Sequence, residues 1–331
     1  MYHFYVSDPI HPTTLAQLQD LGTVYCNFGA NPVPFTEVAD TIDAVVLRAE
    51  TFTADMISAA PRLKIIARHG TGTDNVDIAA ATAASVWVTV TPGANSGAVA
   101  EHVFALLLAL ARKSGQASTG TAAGQWSSLK PTLTGFELGG RTLGLVGFGR
   151  IARHVGRIAR GFGMTVIAAD PHIDPDSIRQ AGATPVSLTE LFGRADVISL
   201  HAPLTPQTRH LINSAVLAGM RPGTVLINTS RGELVDEQAL VAALQRGHLG
   251  GAALDVLEGE SIDMREPLAH SYLRDHLGRP DLIVTPHVAG QTDEALLAAG
   301  TTAVACIRQA LNGDTPDNAV NHIPDRQALA G

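Results

Sequence analysis

The sequence is poor in cysteine, in aromatic residues and in charge. Its two cysteines, Cys26 and Cys306, form no CxxC pair, which excludes a disulfide scaffold and a zinc ribbon and is typical of a reducing compartment. Aromatic residues make up 5% and charged residues 16%, but hydrophobic residues reach 45%, so the chain can bury a core and is not intrinsically disordered. The formal net charge of −8 disfavours a general binder of polyanions.

The sequence also lacks a long hydrophobic run. The longest, Val103–Ala111, is flanked by charged residues and is far shorter than the roughly 20 residues that a bilayer-spanning helix needs. The N-terminus has neither the basic region nor the apolar core of a signal peptide. We therefore expect a cytoplasmic protein with no membrane partner, and the sequence predicts no metal site.

What the chain has instead is an alternation of short β-rich runs with Ala- and Leu-rich helical runs. Several β-rich runs are continuously apolar, which is typical of parallel strands covered on both faces. The pattern predicts an α/β fold with more strands than one sheet comfortably holds, and the length favours about two domains. The predicted strands are Phe4–Val6, Ala44–Leu47, Lys64–Ala67, Val86–Val90, Thr142–Val146, Thr165–Ala169, Val197–Leu200, Val225–Asn228, Ala252–Leu254 and Leu282–Val284.

Three other stretches differ from the strands. Ser96–Lys113 predicts one long buried helix. Ser114–Gly140 is rich in Gly, Ser and Thr and has little strand pattern, so it is predicted to mark a domain boundary. The polar end of the chain from Pro324 is predicted to be a surface tail.

The strongest local motif is a glycine-rich turn between a predicted strand and a predicted helix, with the pattern GxGxxA. Gly147 permits the tight turn, Gly149 lets the backbone approach a pyrophosphate, and the small Ala152 lets the helix pack close to the strand. The helix N-terminus then offers unpaired N–H groups to phosphates. Alone, such a turn can also be an ordinary connection between a strand and a helix.

Asp170, at the end of the next predicted strand, strengthens the cofactor interpretation. A carboxylate at that point accepts hydrogen bonds from the adenosine ribose hydroxyls and repels a 2′-phosphate. No arginine follows it directly. We therefore predict NAD(H) rather than NADP(H); the alternative is an ordinary βαβ turn with a solvated Asp170.

Seven short segments of the chain together carry a likeness to one known family, although any single one of them could occur by chance. They are Arg68–Asp77, Thr91–Asn95 running on to Ala100–His102, Leu145–Ala152, His201–Pro206, Asn228–Asp236, Ala253–Val256 and Thr285–Gly290. In this order they resemble the D-isomer-specific 2-hydroxyacid dehydrogenase family, from about residue 40 to about residue 320. The resemblance implies two Rossmann/flavodoxin-like parallel-sheet domains with the active site in a cleft between them. Residues 1–98 and 289–331 would form a discontinuous substrate domain, residues 99–288 an NAD-binding domain, and two chains a homodimer.

The same resemblance implies a catalytic trio of Arg231, Glu260 and His287. Reduction of a 2-keto acid needs a cation for the carboxylate and the carbonyl oxygen, which a guanidinium provides. It also needs a proton donor, so His287 would be the general acid in reduction and the base in oxidation. Glu260 would orient the imidazole and favour its charged form. Arg231 could instead be a surface residue of a loop, and His287 a structural residue.

Glu260 has a rival, because the family usually has Glu-Pro at this place. Here no proline follows Glu260, whereas Glu266 precedes Pro267. Glu260 lies five residues after Asp255 and seven before Pro267, which is similar to the spacing of the family, so we assign the role to it. Glu258 and Glu266 are then expected to be solvated surface residues.

Further residues are assigned by the resemblance. Asp255 would face the nicotinamide carboxamide, although a buried carboxylate that caps a loop is an alternative. Asn95 would lie near the substrate or be a turn residue, and His102 is expected to be a packed or capping histidine. The loop at residues 70–73 would offer N–H groups to the substrate carboxylate, or be a plain turn. The other residues assigned are, for the cofactor, Arg150, Ile151 and Thr229 and, for the substrate, Arg48, Gly70, Thr71 and Gly72.

The predicted function is that of an NAD-dependent dehydrogenase that interconverts a D-2-hydroxy acid and its 2-keto acid. Related phosphoglycerate dehydrogenases tend to place two arginines near the phosphate; here Arg48 keeps the first position and Glu50 occupies the second. A carboxylate would repel a phosphate dianion, which favours a small unphosphorylated substrate over 3-phosphohydroxypyruvate. Arg48 could also be a surface residue, and no nucleic-acid partner is expected.

Three alternatives stay open. One is a short 3-phosphoglycerate dehydrogenase, and another is a non-enzymatic NAD(H)-sensing regulator of the same fold. The third, a relative of formate dehydrogenase, is disfavoured because such an enzyme would carry Gln at position 260, where this chain has Glu260. Release of carbon dioxide needs no acid catalysis.

Overall fold

The computed structural model describes residues 1–323. The chain divides into two compact units: Met1–Asn95 together with the chain from Gln291 onward, and Ser96–Gly290. The surface tail predicted from Pro324 lies outside the described residues. Each unit contains one parallel sheet, which confirms the predicted α/β class with two parallel-sheet domains.

The regular elements follow one another as the sequence pattern predicts for an α/β protein. The strands are β1 (Tyr2–Val6), β2 (Gly22–Cys26), β3 (Ala44–Leu47), β4 (Ile65–Arg68), β5 (Trp87–Thr89), β6 (Thr142–Val146), β7 (Thr165–Ala169), β8 (Thr184–Pro185), β9 (Val197–Leu200), β10 (Thr224–Asn228), β11 (Leu249–Leu254) and β12 (Leu282–Val284). The helices are α1 (Pro12–Gln19), α2 (Phe35–Val38), α3 (Ala54–Ser58), α4 (Ile78–Ala83), α5 (Ser96–Arg112), α6 (Ser114–Ala122), α7 (Trp126–Leu129), α8 (Arg150–Gly161), α9 (Pro175–Gln180), α10 (Leu188–Arg194), α11 (Ser214–Gly219), α12 (Glu237–Gln245) and α13 (Asp293–Asn312).

In the first unit the strand order is β2-β1-β3-β4-β5, and every neighbouring pair is parallel. Successive strand residues point to opposite faces, and both faces are covered: the fully buried Tyr5 belongs to one core and the fully buried Phe4 to the other. Helix α13 packs so closely on α1 that a Cβ at Gly300 would lie 2.0 Å from Oγ1 of Thr14. The last described helix thus completes the unit that the N-terminus begins.

In the second unit the strand order is β12-β11-β10-β9-β6-β7-β8, again all parallel. Leu145 and Val146, successive residues of β6, belong to cores on opposite faces of the sheet. The strand order reverses between β6 and β9. In open α/β sheets, ligands bind outside the carboxyl ends of the strands at such a reversal.

All ten predicted strands are present, with small shifts at their ends. Strands β2 and β8 were not predicted. Every residue of β2 is half-buried, so the strand shows neither an apolar run nor an alternation. Strand β8 has two residues, which is too short for a pattern. The long helix predicted from Ser96 is confirmed as α5.

The prediction of a domain boundary at Ser114–Gly140 is wrong, because this segment lies inside the second unit. It forms α6 and α7, two short helices in close contact. A Cβ at Gly120 would lie 2.0 Å from Cδ1 of Leu129. The small residues here therefore permit close helix packing rather than mark a linker.

Candidate active site

The turn after β6 has the geometry that its glycines predict. Gly147 has a φ of +86°, and a Cβ there would lie 2.9 Å from the backbone of His201 and Ala202. Gly149 is the N-cap of α8, and the space around its missing Cβ is open to 4 Å. Bare backbone therefore lies at the N-terminus of a 12-residue helix, whose N–H groups and dipole favour an anion.

Asp170 follows β7, and its carboxylate is hydrogen-bonded to the same turn. Oδ2 accepts the N–H of Phe148 at 2.8 Å, and Oδ1 accepts the N–H of His172 at 2.8 Å. The carboxylate thus ties the glycine-rich turn to the end of β7 while it stays partly exposed. An open pocket of about 310 Å³ lies beside Asp170 and is lined in part by the apolar side chains of Ile173 and Val186.

The residues at this sheet edge fit a dinucleotide. Arg150 and Ile151 are the first two residues of α8, and Arg150 is exposed. Thr229 follows β10, and its hydroxyl oxygen is buried without a hydrogen-bond partner among the described residues. Buried unsatisfied polar atoms are rare in folded proteins, and one beside a strand end is what an additional bound group would satisfy. The open space at Gly149, where a Cβ would meet no atom within 4 Å, fits the same kind of ligand.

His287 lies in a turn after β12 that Asp255 holds. The consecutive N–H groups of His287, Val288 and Ala289 all donate to Asp255, the first to its carbonyl at 2.9 Å and the others to its carboxylate at 2.9 and 2.8 Å. Asp255 is 1% exposed. His287 has a φ of +53°, a left-handed conformation that costs a non-glycine residue on the order of 1–3 kcal/mol. These contacts are those of the loop-capping alternative; the role of Asp255 toward the nicotinamide stays a prediction.

The turn presents the imidazole of His287 to Glu260. Nδ1 of His287 lies 2.9 Å from Oε2 of Glu260, and the two side chains are 47% and 9% exposed. The other carboxylate oxygen of Glu260 accepts the N–H of Leu257 at 3.1 Å, which fixes its orientation. Glu266, the rival in the sequence, is exposed, as expected. The structure therefore brings Glu260 to His287.

Glu258 is not the solvated surface residue that the sequence led us to expect. Its Oε1 lies 2.5 Å from Nε2 of His210, and its Oε2 accepts the N–H of Glu237 at 3.3 Å. In return, the buried carboxylate of Glu237 accepts the N–H of Glu258 at 3.0 Å. These bonds stabilise the short helical turn Glu258–Ser261, which carries Glu260. No local pattern indicated them, because the partners lie 21 and 48 residues away.

Arg231 lies in a half-buried loop after β10 that is held on two sides. Asn228, fully buried at the strand end, donates Nδ2–H to the carbonyl of Arg231 at 2.7 Å. At Gly232 a Cβ would lie 2.0 Å from the backbone of Leu257. Only glycine allows so close an approach, so the Arg231 loop packs directly on the chain that leads to Glu260.

Two arginines of the first unit donate to backbone carbonyls near the predicted substrate residues. Arg48 follows β3, donates Nη1–H to a backbone carbonyl at 3.0 Å, and has its pKa lowered by burial. Arg68 holds the loop at residues 70–72 through a bond from Nε–H to the carbonyl of Gly72 at 2.7 Å. Asn95 is half-buried and ends the first segment of the unit. Contact of these residues with a substrate stays a prediction.

Burial shifts two histidines toward the neutral form. Desolvation lowers the pKa of His201 to about 4, and Oγ of Ser199 lies 3.0 Å from its Nε2. In the first unit, desolvation and then the positive charge of Arg48 lower the pKa of His69, whose Nε2 lies 3.1 Å from the carbonyl of Leu296. At neutral pH both imidazoles are therefore uncharged hydrogen-bonding groups.

Two other kinds of feature are missing from residues 1–323. No group of His, Cys, Asp and Glu side chains there is arranged to hold a metal ion. No helix in that range has the length and apolar character needed to span a bilayer.

The second unit is thus a doubly wound domain with a glycine-rich turn that fits a dinucleotide, and comparison with known proteins gives its family. Residues 104–289 match the family described as "D-isomer specific 2-hydroxyacid dehydrogenase, NAD binding domain". The chain therefore belongs to the D-isomer specific 2-hydroxyacid dehydrogenase family, which confirms the resemblance. NAD is accordingly the cofactor of this unit.

Individual relatives differ in the substrates that their names contain. The chain is 38% identical over 323 residues to the D-3-phosphoglycerate dehydrogenase of Methanocaldococcus jannaschii, over 97% of this chain and 60% of that one. The crystal structure of the TT0316 protein from Thermus thermophilus has a TM-score of 0.84 at 34% identity, over 96% of this chain and all (100%) of that one. D-Lactate dehydrogenase from Aquifex aeolicus, complexed with NAD and lactic acid, has a TM-score of 0.81 at 30% identity, over 94% and 96%. The chain spans about 60% of the length of the phosphoglycerate dehydrogenase.

Proposed function

We propose that the protein is an NAD-dependent dehydrogenase that interconverts a D-2-hydroxy acid and its 2-keto acid. The observation that carries this proposal is the 2.9 Å contact between Nδ1 of His287 and Oε2 of Glu260. Both residues follow strands at the carboxyl edge of an NAD-binding sheet. Bound NADH supplies a hydride to the carbonyl carbon of the keto acid, and NAD⁺ accepts it in the reverse direction.

The contact with Glu260 supports Nε2 as the ring nitrogen of His287 that acts on the substrate. Because Nδ1 is bonded to the carboxylate, Nε2 is the atom that gives its proton to the carbonyl oxygen in reduction. In oxidation the same nitrogen removes the hydroxyl proton. The nearly buried carboxylate, 2.9 Å from the ring, holds the imidazole in one orientation.

Arg231 is proposed to bind the substrate carboxylate and to polarise the adjacent carbonyl. A guanidinium binds a carboxylate through two parallel hydrogen bonds and carries its charge at every working pH. As the carbonyl oxygen gains negative charge, its interaction with the cation strengthens, so the transition state is stabilised more than the substrate. The bond from Asn228 to the carbonyl of Arg231 fixes the backbone of the loop, and Nη1–H of Arg231 donates to the carbonyl of Ser230 at 2.7 Å.

We propose a small unphosphorylated 2-keto acid, such as glyoxylate or hydroxypyruvate, as the substrate. Glu50 supports this choice, because its Oε2 accepts the hydroxyl of Tyr5 at 2.9 Å and Tyr5 is fully buried. Burial and then the bond to Glu50 raise the pKa of Tyr5, so its hydroxyl remains a donor. A carboxylate is thereby kept two residues from Arg48, where it would repel a phosphate dianion.

A short 3-phosphoglycerate dehydrogenase is the second candidate. The name of the Methanocaldococcus jannaschii relative, at 38% identity, favours it. Arg48 is also a cation that would suit a phosphate. The two candidates differ in how the enzyme should respond to removal of the charge at Glu50.

The test is a comparison of kcat/KM for hydroxypyruvate, glyoxylate and 3-phosphohydroxypyruvate with NADH in one buffer. We expect at least a roughly tenfold preference for an unphosphorylated acid, and Glu50→Gln should narrow it. Glu37→Gln, which removes an exposed charge on α2, is the matched control. Preference for the phosphorylated acid, lost in Arg48→Ala, would make the protein a short phosphoglycerate dehydrogenase. Absence of turnover with every 2-keto acid would favour a NAD(H)-sensing regulator.

We further propose that the protein is a homodimer in the cytoplasm. Trp126, on α7, is 73% exposed in the single chain, and large aromatic side chains are enriched in interfaces between subunits. Light scattering should give a dimer mass that falls toward the monomer in Trp126→Ser. A wild-type monomer at micromolar concentration would contradict this part of the proposal.

A further inference from the structure

His102, on α5, lies close to Thr285 and Asp255, near the turn that carries His287. Its Nε2 lies 3.2 Å from Oγ1 of Thr285 and 3.5 Å from Oδ1 of Asp255. The imidazole is 21% exposed and the carboxylate 1%. Thr285 lies 183 residues away in the sequence, in the segment that joins β12 to the turn at His287. His102 therefore connects the long helix to the part of the chain that carries the proposed general acid.

The hydroxyl of Thr285 determines the direction of each hydrogen bond in this group. Its single hydrogen points to Oδ1 of Asp255 at 2.5 Å, because a carboxylate can only accept. The hydroxyl oxygen is then left to accept from His102, so Nε2 of His102 carries a hydrogen. The hydrogen bonds thus run in one direction, from His102 through Thr285 to Asp255. Successive hydrogen bonds in such a chain polarise and strengthen one another.

Asp255 passes this restraint on to His287. Its carbonyl accepts the N–H of His287, and its carboxylate accepts the next two N–H groups along the chain. A buried carboxylate is stable only when donors surround it, and the hydroxyl of Thr285, which His102 holds, is one of these donors. Loss of His102 would free the hydroxyl of Thr285 to turn away, which would loosen the carboxylate and, with it, the left-handed turn at His287.

We propose that His102 is a positioning residue for His287. The inference rests on the proposed function, because it assigns His102 a part in placing the group that transfers the proton. His102 acts through its Nε2–H, which holds Thr285 and Asp255 in the arrangement that fixes the turn. Displacement of a catalytic group by about 1 Å can cost on the order of 10²-fold in rate, so the effect should be measurable.

The kinetic test compares His102→Leu, which lacks a donor, with His102→Gln, which keeps an N–H donor in a side chain of similar reach. We expect His102→Leu to lower kcat by roughly 10- to 100-fold with KM nearly unchanged, and His102→Gln to stay within about threefold of the wild type. The matched control is His248→Leu. His248 is a half-buried histidine whose Nε2 lies 3.1 Å from the carbonyl of Met220, and its loss should leave kcat unchanged.

The second readout needs no turnover. In the protein without cofactor, the Nδ1–H signal of His287 in ¹⁵N-edited NMR, assigned with His287→Gln, reports the bond to Glu260. It should shift or broaden in His102→Leu and persist in His102→Gln and His248→Leu. If His102→Leu does not fold, Thr285→Val interrupts the same bonds with little change in shape.

Three results would overturn the assignment of His102. The first is a His102→Leu variant in which both kcat and the Nδ1–H signal of His287 are unchanged. The others are an equal loss of kcat in His102→Leu and His102→Gln, and an unchanged Nδ1–H signal of His287 in Thr285→Val. If the wild type reduces no 2-keto acid, the proposed function fails, and the NMR signal alone then decides whether His102 positions His287.

Discussion

The two units have parallel sheets of the same kind, but they differ in the turn after the strand at which the order of the sheet reverses. In the second unit, β6 ends in the turn at Gly147 and Gly149, and the space beside Gly149 is open. In the first unit, β1 leads into Ser7 and Asp8. There the carboxylate of Asp8 accepts the hydroxyl of Ser7 at 2.5 Å and the N–H of Ala49 at 2.9 Å. One turn is bare backbone, and the other is filled by its own side chain.

The helices that come after these turns differ in the same way. Helix α8 begins directly after its N-cap residue Gly149, which has no side chain to cap it. Helix α1 begins after His11, whose Nδ1 accepts the N–H of Thr13 at 3.1 Å. A capped N-terminus has fewer N–H groups to offer a phosphate. Sheet topology alone therefore does not distinguish the two units as candidate nucleotide sites; the residues at the turn do.

Replacement of a histidine in each unit gives the largest expected contrast. His287→Ala should lower kcat for keto-acid reduction by roughly 10²- to 10⁴-fold, because it removes the proposed proton donor. His11→Ala removes a helix cap in the first unit and should cost about 1 kcal/mol in the free energy of unfolding, with kcat nearly unchanged. Steady-state rates and urea unfolding measure both. Near wild-type turnover in His287→Ala would exclude it from the mechanism.

Replacement of a glycine in each unit is expected to have the next largest effect. Gly147 and Gly29 both have positive φ, +86° and +89°, but a Cβ meets backbone at 2.9 Å only at Gly147. Gly147→Ala should weaken NADH binding by about 10²-fold, or about 2.7 kcal/mol, because the turn must open. Gly29→Ala should cost about 1 kcal/mol of stability and leave NADH binding intact. Fluorescence titration with NADH measures the affinity of each variant. Equal affinity in Gly147→Ala and Gly29→Ala would contradict a role of the Gly147 turn in NADH binding.

The parts that could be predicted from the sequence are those with a local cause. The turn at Gly147 was predictable because a tight turn with positive φ between a strand and a closely packed helix requires glycine, and the glycine is visible in the sequence. Buried parallel strands are continuous apolar runs, so ten of them could be recognised. Glu260 was separated from Glu266 by its spacing from Asp255, and the structure pairs Glu260 with His287.

The remaining contacts have no local cause and could not be predicted. Glu258 was expected in solvent, but residues 21 and 48 positions away enclose it. His102 meets Thr285 across 183 positions because α5 packs on the sheet beside β12. A histidine on an apolar helix has the same pattern whether it packs, caps or positions another residue. Which of these roles a histidine has depends on tertiary packing, and tertiary packing produces no periodic pattern in the sequence.

A third contrast uses acid stability, because each unit contains a histidine whose pKa is lowered by burial. For His201 the pKa in the folded protein is about 4, against about 6.5 in the unfolded chain. Above about pH 6.5 neither state binds the proton. As the pH falls toward 4, only the unfolded state takes it up, so stability is lost, by about 2 kcal/mol at pH 5.

His201→Gln should therefore lose less stability than the wild type between pH 7.5 and pH 5 in urea unfolding. His69→Gln should change in the same direction, because the pKa of His69 is also lowered. His248→Gln, which replaces a half-buried histidine elsewhere in the second unit, is the control. The same acid-induced loss in His201→Gln and in the wild type would show that the burial of His201 does not govern this response.

The smallest expected contrast is between the carboxylates that come after β7 and β1. Asp170 should make NADH the preferred cofactor by at least about tenfold in kcat/KM, or about 1.4 kcal/mol, because a carboxylate repels a 2′-phosphate. Asp170→Ser should narrow this preference. It should also weaken binding of both cofactors, since Asp170 accepts the N–H of Phe148 in the turn between Gly147 and Gly149.

Asp8→Ser separates these two effects. Asp8 also accepts backbone N–H groups at a strand end, but it lies in the unit whose turn is filled by side chains. Its loss should therefore lower stability without changing the ratio of kcat/KM for NADH and NADPH. Because the ratio cancels any general damage to the fold, it reports the charge at Asp170 alone. Equal use of NADH and NADPH by the wild type, or an equal change in both variants, would mean that Asp170 does not discriminate between the cofactors.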